Sequence, residues 1–377
     1  MENHLQKFFL IAGEPSGDLH GAKLINALKN ISPNSSFIGY GGNKMKESGM
    51  KIIKHVDKIS IMGFLEVLKH LPRMIILLNK TKKIIEDLKP DRIILIDYPG
   101  FNLRLAKKLS NIKIPIIYFI LPQAWAWKPK RVEILKKFTD QAFSIIPFEK
   151  EWYKSKGLQV HYIGHPFVEK PSNRQPFETL YHKYNLNTDY PTLILLPGSR
   201  QQEINKHWPI FLKTIKMLKY EYPNTQVIVI KAPGVTIPNI PNDFKIETNP
   251  NKALQIGTAA IVSSGTATLE CALECLPMVV CYKLSFISWW IIKILVKVKY
   301  SSIVNLIEND KIVPELIQSD MTPKNLIKHI SPLLDLNTKK RKIMIKKLKK
   351  IKTKLGHPGV YDRAASIIIN RMSYYEN

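Results

Sequence analysis

The stretch IVSSGTATLECALECLPMVVCY, running from Ile261 to Tyr282, alternates two kinds of local pattern within twenty-two residues. Ile261 and Val262 end an apolar run of the kind a buried strand needs, and residues Ser263 to Thr266 form a turn with almost no side-chain bulk. Ala267 to Cys275 then reads as a short helix, and Met278 to Tyr282 as the next strand. The first amides of such a helix have no intrahelical acceptor, and the helix dipole adds positive potential beside them. A small-residue turn followed by a helix N-terminus therefore suits a diphosphate. Glu270, one turn into the helix, is placed to reach the vicinal hydroxyls of a ribose. The competing use of Glu270, a capping box, needs Ser or Thr three residues earlier, and that position is Ala267. The other competing reading is a turn built only for helix-to-strand packing, which parallel sheets also require.

Outward from this segment, apolar runs continue to alternate with amphipathic ones, the mark of a parallel sheet covered by helices. The pattern starts twice. KFFLIAGEPSGDLHGAKLINALKN (Lys7 to Asn30) and TLILLPGSRQQEINKHWPIFLKTIKMLK (Thr192 to Lys219) each give a strand, a Gly-Ser turn and a helix. Pro166, Pro171, Pro176 and Pro191 punctuate the polar stretch between them, as in a linker. The expected organisation is two doubly wound parallel-sheet α/β domains, residues 1–168 and 169–354, with a closing helix in 355–377 that rejoins the first. Further strands are expected at Ser36 to Gly39, Arg92 to Ile96, Ile114 to Ile120, Gln141 to Ile145 and Val160 to Ile163. In the second domain they are expected at Gln226 to Ile230, Ala259 to Val262 and Met278 to Tyr282. Ligands in such sheets bind beyond the carboxyl ends of the strands.

Three turns at those ends carry polar groups. Gly13-Glu14-Pro15-Ser16-Gly17-Asp18 with His20 gathers two acids, a hydroxyl and an imidazole, yet matches neither GxGxxG nor GxxxxGK[ST]. Capping of the next helix by Ser16 or Asp18 explains it equally well. Asp97 closes the apolar run IILID before Tyr98-Pro99-Gly100. Burial there would raise its pKa and neighbouring cations would lower it; general-base chemistry is one use, and stabilising the turn is the other. Arg200, in Leu196-Pro197-Gly198-Ser199-Arg200, could contact a diphosphate bidentately, although exposed turn arginines are common.

The formal charge of +27 on 377 residues points to nucleic acid, an anionic membrane surface or phosphorylated substrates. Nucleic-acid binding calls for basic residues interleaved with stacking aromatics, and apart from Trp125, Trp127 and Lys128 that interleaving is sparse. Nucleic acid is not the expected partner. Cys271, Cys275 and Cys281 lack zinc-site spacing and read as core residues in a reducing compartment. No export signal or 18-residue apolar span is evident. Two stretches have an interfacial character. Ile61, Phe64, Leu68, Leu71, Ile75 and Leu78 give a stripe broken by Pro72, and Met62, Leu65 and Val67 widen it. Leu284 to Val298 sets Trp289 and Trp290 beside Lys293 and Lys297. Core packing is the ordinary use of the first stripe.

GEPSGD with His20, GGNKM (Gly41 to Met45), MGFLEVL (Met62 to Leu68), DYPGFN (Asp97 to Asn102) and PQAWAWKPKR (Pro122 to Arg131) occur in that order. PFEKEWY (Pro147 to Tyr153), IGHP (Ile163 to Pro166), LLPGSRQQEI (Leu195 to Ile204), SSGTATLE and the closing HPGVYDRAA (His357 to Ala365) follow. Together they resemble the lipid A disaccharide synthase family, nearly end to end. The resemblance implies a GT-B glycosyltransferase with two facing Rossmann-like domains and an intervening cleft. It implies an inverting, metal-independent transfer, without cofactor, from UDP-2,3-diacylglucosamine to 2,3-diacylglucosamine 1-phosphate (lipid X), releasing UDP. Asp97 is then the base. Arg200, Ser264, Gly265, Thr266, Glu270 and Asn305 hold the UDP-sugar, and Glu14, Ser16, Gly17, Asp18 and His20 lie on the acceptor side. Met62, Phe64, Leu65, Leu68, Trp289 and Trp290 contact acyl chains or the membrane. The resemblance further implies a cytoplasmic chain, peripheral on the anionic inner-membrane surface, and is compatible with a homodimer.

Overall fold

The structure, a computed structural model, describes residues 6–59, 71–169, 175–285, 289 and 298–370. The chain divides into two compact units, one formed by Met1–Glu169 with His357–Asn377 and the other by Lys170–Gly356. The first holds seven parallel strands: β1 (Lys7–Ala12), β2 (Ser36–Gly41), β3 (Lys51–His55), β4 (Arg92–Ile96), β5 (Ile116–Phe119), β6 (Gln141–Ser144) and β7 (His161–Tyr162), in the order β3-β2-β1-β4-β5-β6-β7. The second holds six: β8 (Thr192–Leu196), β9 (Gln226–Ile230), β10 (Lys245–Glu247), β11 (Ala259–Ser263), β12 (Met278–Tyr282) and β13 (Glu315–Ile317), ordered β10-β9-β8-β11-β12-β13.

Both sheets are doubly wound, with the winding direction reversing between β1 and β4 in one and between β8 and β11 in the other. The crevice at each reversal is where such sheets bind ligands. In the first unit, Phe9 and Ile11 of β1 and Ile93 and Leu95 of β4 pack into one apolar layer. Phe8, Leu10, Ile94 and Ile96 pack into the other. Central strands are thus buried on both faces, which is why they read as uninterrupted apolar runs. The helix Val360–Asn370 closes the second of these layers with Val360, Tyr361, Ala364, Ala365 and Ile368. Each fully buried aliphatic side chain contributes about 1.5–3 kcal/mol of burial free energy, enough to return the C-terminal segment to the first unit.

Three strands, β3, β10 and β13, were absent from the expected set, and all three lie at sheet edges. Their sequences, KIIKH, KIE and ELI, are short and carry charge, because an edge strand is half covered and charge there discourages edge-to-edge pairing. The stripe expected around Ile75 also divides. In the helix Leu71–Leu88 the buried face is Met74, Leu77, Leu78 and Ile85, whereas Ile75 and Ile76 are 49% and 65% exposed. Met62, Phe64, Leu65, Leu68 and Trp290 lie outside the described residues. Among the described residues no helix is long and apolar enough to cross a membrane.

Candidate active site

In the second unit the carboxyl ends of β8 and β11 open onto a cavity of about 420 Å³, within the range of small-ligand pockets. The turn after β11 forms one wall. Gly265 has φ +154°, and a Cβ built on it would meet nothing within 4 Å, so its backbone faces open space. Ser264 is committed elsewhere: its amide donates to Cys281 O at 2.9 Å and its hydroxyl to Ser301 O at 3.0 Å. Among the described residues, the amides of Gly265, Thr266 and Ala267 donate to no protein acceptor. These are the first donors of the helix Ala267–Leu273, whose N-cap, Thr266, makes no side-chain cap. They are the groups an anion would take. Ser263, buried, also lines the cavity and leaves its hydroxyl without a partner.

The opposite wall is the turn after β8. Glu203 accepts the Ser199 and Arg200 amides on Oε2, at 2.9 and 3.3 Å, and its Oε1 lies 3.6 Å from the Arg200 guanidinium. A buried acid thus fixes the turn while the Arg200 side chain stays 78% exposed at the cavity. His207 accepts the Lys283 amide on Nε2 (3.0 Å), which leaves Nδ1–H to donate to Pro197 O (2.8 Å). Burial, the larger influence, holds its pKa below the ordinary value, consistent with this neutral tautomer. Glu270 and Tyr282 complete the lining.

Asn305 takes no part in that lining. It is buried, donates to Val313 O and Glu315 Oε1 (2.9 and 2.7 Å), and accepts the Ile312 and Val313 amides (2.8 and 3.0 Å). Glu315 in turn accepts the amides of Ser301 and Ser302, at 2.8 and 2.9 Å, and Ser301 receives Ser264. Asn305 supports the turn through this relay.

In the first unit Asp97 follows β4 at the other switch point. Asp97 and Tyr98 have φ of 43° and 46°, a left-handed pair whose strain is on the order of 1–3 kcal/mol per residue. The pair is held from below. The Asp97 amide donates to Phe119 O (2.9 Å), and its carbonyl accepts from Asn102 Nδ2 and Tyr118 OH, both at 2.8 Å. Tyr98 turns its ring onto Gly13, where a Cβ would come within 2.2 Å of it. Only glycine fits there, so the ends of β1 and β4 close on each other. Burial, and secondarily the negative charge of Glu14, push the Asp97 carboxyl up to about 6, against the opposing effects of a Tyr98 backbone hydrogen bond and Arg131. Glu149, 1% exposed, is pushed up to about 7, chiefly by burial, while it accepts Trp125 Nε1 (3.0 Å) and the Ile146 amide (3.2 Å). Glu149 sits in the PFEKEWY motif, where nothing local in the sequence marks it as a buried acid.

The remaining residues of the GEPSGD turn divide. Glu14 and Ser16 are exposed, and Gly17 is buried against Ala12. Asp18 is buried, and its carboxylate accepts the amides of Gly42, Lys44 and Met45 at 2.7, 3.1 and 3.1 Å. It caps the helix Asn43–Glu47, not its own. His20 lies 2.8 Å from the Tyr361 hydroxyl, and burial, with Lys23, holds its pKa at about 4. Among the described residues no group of three His, Cys, Asp or Glu side chains could hold a metal ion.

Two doubly wound parallel sheets, with a turn of open amides at the switch point of one and a buried carboxyl at the switch point of the other, have the GT-B fold. Solved structures of similar fold include the glycotransferase of kitacinnamycin, with TM-score 0.67 and 12% identity over 97% of this chain and 99% of that one. A putative UDP-N-acetylglucosamine 2-epimerase from Listeria monocytogenes has TM-score 0.66 and 12% identity over 98% of this chain and 97% of that one. At such identities the likeness concerns fold alone. The family model of lipid-A-disaccharide synthetase matches residues 8–368. The lipid-A-disaccharide synthase of Myxococcus xanthus is 34% identical over 371 residues, 96% of this chain and 97% of that protein. The chain belongs to the lipid-A-disaccharide synthetase family, and is a glycosyltransferase of lipid A biosynthesis.

Proposed function

We propose that the protein transfers the diacylglucosaminyl group of UDP-2,3-diacylglucosamine to the 6-hydroxyl of 2,3-diacylglucosamine 1-phosphate, giving the β-1,6 disaccharide 1-phosphate and UDP. The observation that carries this reading is the cavity of the second unit, in a chain of this family, with unsatisfied amides at residues 265–267 facing a space shared with Arg200 and Glu270. The amides and Arg200 take the diphosphate, and Glu270 takes the ribose hydroxyls. Asp97 removes the proton of the acceptor 6-hydroxyl as that oxygen attacks the anomeric carbon. The bond from that carbon to the UDP oxygen breaks, the configuration inverts, and the departing charge rests on the amides and Arg200. A carboxyl near pKa 6 is ionised at neutral pH and is more basic than an ordinary aspartate, as a general base should be.

Substrates with two acyl chains reside in membranes, and the protein meets them at the anionic cytoplasmic face of the inner membrane. The exposed Ile75 and Ile76, with exposed Arg73, Lys80 and Lys83 on the same helix, supply apolar and cationic groups for that surface. Purified chain incubated with both substrates should yield a disaccharide 1-phosphate and one UDP per turnover, resolved by mass spectrometry. Absence of disaccharide with intact UDP binding would overturn the acceptor assignment.

A further inference from the structure

The loop Pro122–Lys130 leaves β5 beside Asp97, because β4 and β5 are hydrogen-bonded neighbours and the Asp97 amide reaches Phe119 at the end of β5. Ala126 and Trp127 both donate their amides to Gln123 O, at 3.1 and 3.4 Å, and Lys128 then reverses the chain with φ 56°. The reversal brings two cations onto one indole. Lys128 Nζ lies 4.5 Å and Arg131 Cζ 4.6 Å from the Trp127 ring centroid. Among the described residues, no carboxylate lies within salt-bridge distance of Arg131, Lys128 or Arg104. Arg131 is half-buried and opens the helix Arg131–Phe138, where the helix dipole disfavours a cation. Burial is the main influence lowering the pKa of Arg131 and Lys128: Arg131 is further repelled by Arg104, against the attraction of Tyr118, Tyr153 and Asp97, and Lys128 is repelled by Arg131 and Arg104. A half-buried guanidinium at the positive end of a helix, crowded by two further cations, is an arrangement that an anionic ligand would relieve.

We infer that Arg131, with Lys128 and the Trp127 ring that holds both, seats the 1-phosphate of the acceptor. The inference rests on the reading of Asp97 as the base for the 6-hydroxyl. In the acceptor the 6-hydroxyl, carried on C5 through C6, and the 1-phosphate, on C1, flank the ring oxygen of one pyranose. A base and a phosphate seat must therefore flank a single sugar, and the adjacent ends of β4 and β5 provide that placement. Arg131 also acts on the Asp97 carboxyl through space, so its charge serves the base as well. A guanidinium fork matches a phosphate in a way that an ammonium does not, which makes Arg131 the specificity group and Lys128 an accessory charge.

The test compares acceptors with and without the 1-phosphate. For the wild-type chain and for Arg131→Ala, kcat/KM is measured with 2,3-diacylglucosamine 1-phosphate and with its dephosphorylated counterpart. The preference for the phosphorylated acceptor should fall by ~30-fold or more in the variant, the scale of losing one partner of a desolvated charge pair. Arg131→Lys should retain part of it. An unchanged preference, with both acceptors slowed equally and the acid limb of the pH profile moved, would assign Arg131 to the tuning of Asp97 and overturn the inference. Failure of the wild-type chain to couple either acceptor, despite binding UDP, would instead overturn the acceptor reading itself.

Discussion

Asn102 holds Asp97 by its backbone, leaving the carboxylate unengaged by this contact: Nδ2 donates to the Asp97 carbonyl at 2.8 Å and to the Ile96 carbonyl at 3.2 Å. One amide thereby spans the point where β4 passes into the left-handed pair. Its Oδ1 is buried without a partner, so the side chain serves as a donor. Asn102→Asp replaces that donor with an acceptor facing two carbonyl oxygens. It should destabilise the chain by roughly 3 kcal/mol or more, and Asn102→Ala by about 1–3 kcal/mol. Chemical denaturation ranks the two; equal stability of Asp and Ala at this position would contradict the donor role. Turnover should fall in both while UDP affinity holds.

Asp97→Asn separates catalysis from stability. Turnover should fall by at least ~100-fold, the scale of a positioned base, and the wild-type rate should rise with pH through about 6 as the carboxyl ionises. The linkage runs the other way. The folded value near 6 exceeds the ordinary 3.8, so the contribution of this group is fully present below about 3.8 and is lost as pH rises through about 6. The amide removes that loss. Thermal melts should show Asp97→Asn more stable than wild type at pH 7.5, by about 1–3 kcal/mol, and nearly equal at pH 4. A variant that is inactive and also destabilised at pH 7.5 would contradict the burial of this charge.

Asp18→Ala should act on the fold. Three amides at the start of the helix Asn43–Glu47 lose their acceptor, and leaving buried donors unsatisfied costs roughly 1–3 kcal/mol each, part of it recovered by water. A loss of about 2–4 kcal/mol by denaturation is expected, with UDP affinity unchanged. If the melting temperature does not move while turnover collapses, Asp18 belongs to the acceptor site after all.

Three positions, taken with their strands, were legible in the sequence. Asp97, Gly265 and Arg200 follow long apolar runs at the two switch points, and a fully buried strand ending in a polar or small residue is visible in one dimension. The edge strands KIIKH, KIE and ELI were not visible, because partial exposure lets charge enter and erases the period. Asp18 and Asn305 show a different limit. A polar residue in a motif carries no local sign of the buried groups it holds, because those partners lie 24 to 27 residues away for Asp18 and 7 to 10 for Asn305. Glu203 and Glu149 are hidden for the same reason. An acid that holds a turn, or one buried under a tryptophan N–H, carries no local mark beyond its charge.

Arg200 and Glu270 face the same cavity with different physics, and salt separates them. Arg200 is 78% exposed, and its ion pair with Glu203 spans 3.6 Å, so its removal should leave stability within about 0.5 kcal/mol. Against a diphosphate its contribution is a charge-charge attraction in partial contact with solvent. Arg200→Ala should therefore weaken UDP binding by ~10-fold or more at low ionic strength, and by less at 0.5 M salt, where the screening length has shrunk to several ångströms. Glu270 is assigned to ribose hydroxyls, and hydrogen bonds from neutral donors to a carboxylate are worth roughly 1.5–3 kcal/mol. Glu270→Ala should then weaken UDP by ~10- to 100-fold at either salt concentration. Uridine should show the loss at Glu270 and be nearly indifferent to Arg200, since it keeps the ribose and lacks the phosphates. Calorimetry of both ligands against both variants gives four affinities. A loss of uridine binding in Arg200→Ala, or its retention in Glu270→Ala, would reverse the two assignments.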